Sequence, residues 1–132
     1  MGDIRQQRLA NLLVNYSTDV QAGEWVGILG DVNALPVLRQ VHRAVVEAGG
    51  HPMLMLSDET MTRDFIRHAS DEQIQWLNPA LHQYYENADV YIRVGAPQNT
   101  RAMSNISGKR VQQIRAAQRE FLDIRLSRAA RG

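Results

Sequence analysis

Three short apolar runs, each closed by glycine or a polar turn and separated by helix-length segments, restrict the folds open to this chain. They are Trp25-Val26-Gly27-Ile28-Leu29 before Gly30, Met53-Leu54-Met55-Leu56 after His51-Pro52, and the β-branched Val90, Ile92 and Val94 before Gly95. Short apolar runs with such flanks read as buried strands. Strands that alternate with helices predict a parallel sheet, and right-handed crossovers put helices on both of its faces. The expected class is α/β: a three-layer arrangement with a small parallel sheet in the order 2-1-3, half of a doubly wound fold. Three strands fall short of the usual count of about four to six. The chain also closes on a helix end, Ala129-Ala130-Arg131-Gly132. It is therefore expected to be a piece of a larger protein, cut at a helix–strand joint.

The segments between the runs have helical periodicity. Residues 3–16 carry Ile4, Leu9, Leu12, Leu13 and Tyr16 as an apolar stripe. After Gly30, Asp31 or Asn33 is placed to cap a helix with Pro36 in its first turn. That helix bears Leu35, Leu38, Val41, Val45 and Ala48, and Gly49-Gly50 gives it a left-handed stop. Residues 58–87 read as helix in pieces. Asp58 or Thr62 starts the first, which carries Phe65, Ile66 and Ala69. Ser70 and Gln73 have capping-box spacing, with Ile74, Trp76 and Leu77 turned inward. Asn78-Pro79 opens another piece through Leu81, Tyr84 and Tyr85. A last helix over about 108–130 turns Val111, Ile114, Ala117, Phe121 and Leu122 inward.

Composition narrows the function classes. The 132 residues amount to one domain, and 44% are hydrophobic, enough for a core. Net charge +1 predicts no general affinity for nucleic acid or membrane. From Arg101 onward eight basic residues face two acids, so the last helix has a basic side. No cysteine is present, which suits a reducing cytoplasm and excludes thiolate metal sites. The first residues lack the apolar run of a signal peptide and the pattern for myristoylation. No apolar stretch is long enough to span a membrane.

A search for reactive constellations finds none complete. His42, His51, His68 and His82 form no His-Glu-x-x-His pair. Ser57 lies beside Asp58 and Glu59 but in no Gly-x-Ser-x-Gly elbow. Gly27-Ile28-Leu29-Gly30-Asp31 stands where a phosphate loop would, without its glycine pattern and with an acid at the helix start. The pairs Asp58-Glu59 and Asp71-Glu72 suit helix N-termini. Arg93, inside the third run, is expected to find an ion-pair partner or to reach an edge. No residue is assigned to catalysis or to metal. Ligands of open α/β sheets meet the carboxyl ends of the strands. Asp31, Asn33, Ser57, Asp58, Gln98, Asn99, Thr100 and Arg101 are therefore expected to gather along one sheet edge as cavity-lining groups.

Four stretches resemble one family. They are Leu12-Leu13-Val14-Asn15-Tyr16-Ser17 with Ala22-Gly23-Glu24-Trp25-Val26, Ala34-Leu35-Pro36 leading to Glu47-Ala48-Gly49-Gly50-His51-Pro52, Phe65 through Gln73, and Ala96-Pro97-Gln98-Asn99-Thr100-Arg101. In order and interval they are similar to the opening of the thermophilic metalloaminopeptidases, of the aminopeptidase S and T type. The resemblance implies a cytoplasmic, homodimeric exopeptidase that removes N-terminal residues, often leucine, from peptides. It implies two divalent ions (zinc, cobalt or magnesium) that activate a bridging water and hold the scissile carbonyl. It places their ligands and the catalytic glutamate in a later, C-terminal part. Residues 1–132 are then expected to be an inactive N-terminal α/β domain, without metal of its own, that walls the substrate cavity or supports the dimer. On the residues alone two other classes stand beside this one. One is a nucleotide- or phosphate-binding module of Rossmann type. The other is an interaction domain that docks acidic partners through the Arg-rich last helix.

Overall fold

The computed structural model describes residues 4–95 and 107–128. They fall into two compact units, a sheet unit of residues 4–57 and 87–95 and a helical unit of residues 58–86 and 107–128.

The sheet unit opens with α1 (Ile4–Leu12), which runs into a π-helical turn at Leu13–Ser17. The buried Thr18 closes that turn, its hydroxyl 2.9 Å from the Leu13 carbonyl and 3.3 Å from that of Val14. Strand β1 (Trp25–Asp31) follows, then a 3-10 turn (Val32–Ala34), helix α2 (Leu35–Glu47) and strand β2 (His51–Ser57). After the helical unit the chain returns as β3 (Val90–Val94). All pairings are parallel and the order is β2-β1-β3, the α/β class and strand order that the sequence predicts. Trp25 lies opposite His51 and Asp31 opposite Ser57, while Val26 lies opposite Val90. The start of β3 is fixed twice, because Asp89 N–H donates to the Trp25 carbonyl and Trp25 N–H donates to the Asp89 carboxylate, both at 2.9 Å.

Helix α2 turns Leu38, Val41, Ala44 and Val45 toward the sheet, where they pack with Val26, Ile28, Val90 and Ile92. Burying one such side chain contributes about 1.5–3 kcal/mol. Pro36 sits in the first turn of α2, as expected. Asp31 caps the 3-10 turn rather than α2 itself, whose N-cap Ala34 makes no side-chain bond.

One reading of this unit is corrected. The stripe Ile4, Leu9, Leu12 and Tyr16 is exposed, Tyr16 at 80%, and the segment is buried through Ala10 of α1 and Val14 of the π turn, with Leu13 partly covered. Small residues let α1 approach α2 closely, and the wide π turn shifts the phase of everything after Leu12. Arg93 takes the second of its two expected places: it is exposed on the edge strand β3, so no buried charge has to be neutralised there.

The helical unit comprises α3 (Glu59–His68), α4 (Asp71–Gln75), α5 (Pro79–Asn87) and α6 (Gly108–Arg128). Asp58 is the N-cap of α3. The expected capping box opens α4: Gln73 N–H donates to Ser70 Oγ, and Ser70 N–H donates to the Gln73 side chain. Asn78 Oδ1 accepts from Ala80 N–H at the start of α5. Ile66, Ala69, Ile74 and Ile114 form the core, and Tyr85 packs between Tyr84 and Phe121, with ring centroids 4.9 and 5.4 Å away. Phe65, Trp76 and Leu122, expected inward, are exposed instead, Trp76 at 64%. Between α3, α4 and α6 the interior is filled by the smaller Ile66, Ala69, Ile74 and Ile114 instead.

Candidate functional site

Both β1 and β2 end on polar residues at the same level, because the parallel register pairs Asp31 with Ser57. Asp31 Oδ1 accepts from Asn33 N–H at 2.8 Å, which folds the chain back over the strand end. The Ser57 hydroxyl points to the Gly30 carbonyl at 3.4 Å. The structure thus brings together Asp31, Asn33 and Ser57 at the carboxyl edge of the sheet. Gly95, at φ +90, turns the chain out of β3; a Cβ there would lie 3.8 Å from Ala34, beside the same edge. Gln98, Asn99, Thr100 and Arg101 lie outside the described residues. Asp58 begins the helical unit, where its carbonyl accepts from Thr62 N–H at 2.9 Å.

These groups can hydrogen-bond a ligand's polar atoms. They do not form a base–nucleophile pair. The Ser57 hydroxyl is spent on a carbonyl, and Asp31 is tied to its own turn. Among the described residues no group of three or more His, Asp or Glu stands close enough to share a metal ion. His42, His51 and His68 are exposed, and His82 faces Glu86 at 3.4 Å one turn on. Among the described residues no helix is long and apolar enough to cross a membrane.

The helical unit contributes two features that the sequence reading missed. One is an open, mostly apolar groove lined by Phe65, Gln73, Ile74, Trp76 and Asn78. The other is Arg110, in the first turn of α6. Its Nη1 donates to the Ile66 carbonyl at 2.9 Å and to the Ala69 carbonyl at 2.6 Å, and its Nη2 lies 3.6 Å from Asp71. One guanidinium thereby satisfies carbonyls that the end of α3 leaves open. In a helix with so many arginines no spacing marks this one. Arg110→Ala is expected to destabilise the helical unit by about 2 kcal/mol, since charge-assisted bonds would be lost and two carbonyls orphaned. Arg110→Lys should recover only part, because a single ammonium reproduces the fork poorly. Urea unfolding of the three proteins checks the ranking.

The model of the thermophilic metalloprotease family (M29) matches residues 3–132. Among solved structures the chain is similar to wild-type AmpT from Thermus thermophilus, with a TM-score of 0.73 and 16% identity. The match covers 93% of this chain and 32% of that one, so the chain spans about a third of the length of the structure it resembles. At that identity the likeness is one of fold. No curated protein matches the sequence.

Proposed function

The chain belongs to the thermophilic metalloprotease (M29) family, and from that premise we propose that it is the N-terminal α/β domain of a metal-dependent aminopeptidase. In this reading the whole enzyme hydrolyses N-terminal residues, leucine among them, from peptides in the cytoplasm. The carboxyl edge with Asp31, Asn33 and Ser57 faces the substrate cavity and supplies hydrogen-bonding wall rather than chemistry. The observation that carries the reading is the family match over residues 3–132. The likeness in fold to a chain three times as long supports the idea of a domain within a larger protein.

The family implies divalent metal in the enzyme. The described residues do not fit such a centre, since no three potential ligands converge among them. We therefore assign no hydrolytic step to this domain and place the metal ligands elsewhere in the enzyme.

The test is turnover of leucine p-nitroanilide with cobalt or zinc added. The 132-residue chain should give none, while the product of the full reading frame should give chelator-sensitive release of nitroaniline. Metal-dependent turnover by the 132 residues alone would refute the assignment, as would a full-length product inert toward every aminoacyl anilide.

A further inference from the structure

We propose that the face of the sheet turned away from α2 binds a free aliphatic α-amino acid at its carboxyl end, Arg93 taking the carboxylate and Asp31 the ammonium group. Side chains of a strand alternate between the two faces of a sheet. Val26, Ile28, Val90 and Ile92 pack with α2. The register sets Leu29 between Met55 and Arg93, and Asp31 beside Ser57. Those five residues therefore share the opposite face, at the end of the sheet where open α/β folds meet their ligands. Strand spacing of about 4.8 Å and a rise of about 3.3 Å per residue put the Asp31 and Arg93 backbones roughly 8 Å apart.

Both charges are available. Arg93 is exposed and, among the described residues, pairs with no carboxylate. The remaining residues of the chain hold one acid, Asp3, so the chain itself offers Arg93 little to pair with. Asp31 Oδ1 accepts from Asn33 N–H, which fixes the carboxylate and leaves Oδ2 for a second donor. Leu29 and Met55 are partly exposed and make a small apolar floor beside the two charges.

The class of ligand follows from this arrangement. A carboxylate meets a guanidinium fork through two parallel bonds. An ammonium group on the same ligand donates to Asp31 Oδ2. The Ser57 hydroxyl, which donates to the Gly30 carbonyl at 3.4 Å, keeps lone pairs for a further bond. The aliphatic side chain rests on Leu29 and Met55. A bare anion would leave the Asp31 charge unanswered, and a bare cation that of Arg93, so the site favours a ligand that carries both. An arginine that only guards the strand edge would need none of these neighbours. Contacts between exposed charges are individually weak, so a dissociation constant of about 1 mM is expected. This inference does not depend on the hydrolytic reading, and turnover or its absence leaves it untouched.

Titration of the isotope-labelled 132-residue chain with L-leucine at constant ionic strength, read from amide chemical shifts, tests it. The result expected is a saturable change centred on Asp31, Ser57 and Arg93. Leucinamide lacks the carboxylate and isocaproate lacks the ammonium group, and each should bind about ten-fold more weakly or worse. Leucine itself should lose about as much with Arg93→Gln, or with Asp31→Asn, which keeps an acceptor for Asn33 N–H. Arg43→Gln, on the exposed side of α2, should leave the affinity unchanged. The amide spectrum shows whether each variant is folded, and if one site variant is not, the other and the two analogues decide. Absence of a saturable change, a change centred away from the sheet end, equal affinity for leucinamide or isocaproate, or undiminished binding by a folded site variant would overturn the proposal.

Discussion

Gly49→Ala is expected to lower the unfolding free energy of the sheet unit by about 2–4 kcal/mol, a loss of roughly 10 °C in Tm for a chain of this size. Two costs combine. Gly49 has φ +87, a conformation that a Cβ makes unfavourable. The added methyl would also lie 3.0 Å from Ala22 Cβ and 3.1 Å from Ala22 Cα, and the second of these is backbone. The position is held from three sides. Gly49 N–H donates to the Val46 carbonyl and Gly50 N–H to that of Val45, the paired bonds that end α2, and Gly49 carbonyl accepts from Gly23 N–H at 2.9 Å. The turn has no room to yield without releasing one of these bonds. Urea unfolding followed by circular dichroism reads the change; a difference below about 0.5 kcal/mol would mean that the turn relaxes freely.

Gly30 and Leu38 should be coupled. A Cβ on Gly30 would stand 2.7 and 2.9 Å from the two Leu38 methyls and 3.1 Å from the Val94 carbonyl. Leu38 is 1% exposed, so its methyls have little space to move into. Gly30→Ala is expected to cost about 1–3 kcal/mol by overpacking, and Leu38→Ala about 2–5 kcal/mol through the cavity it leaves. Together they should cost less than the sum, by about 1–2 kcal/mol, because the new methyl enters the space that the old ones vacate. Strict additivity would show that the contact between β1 and α2 is looser than these distances imply.

Much of the sheet unit was legible because β-branched and aliphatic runs ending at Gly30, Ser57 and Gly95 leave few alternatives to parallel strands. The same logic placed Asp31, Asn33 and Ser57 at one edge, since strand ends follow from where apolar residues stop. The capping box at Ser70 and Gln73 was legible for a local reason: both of its bonds lie within four residues. The stripe of helix α1 misleads because size does not imply burial. Leu9 and Leu12, with Tyr16 in the π turn, make a regular stripe, yet Ala10 and Val14 are the residues that join the core with Leu38, Val41 and Val45 of α2. Trp76 misled in the same way. Arg110 left no trace in the pattern, because its value depends on carbonyls more than forty residues earlier in the chain. The chemistry of the edge stayed out of reach for another reason. Hydrogen-bonding groups at strand ends are common to many α/β proteins, and only a reacting group or a ligand cluster would have distinguished among them.

In the proposed function this domain shapes a cavity while other residues of the enzyme bind the ions. Equilibrium dialysis of the 132-residue chain against cobalt or zinc, read as metal retained per chain, tests that claim most directly. No ion should be retained at micromolar free metal. Two ions held per chain under those conditions would contradict it.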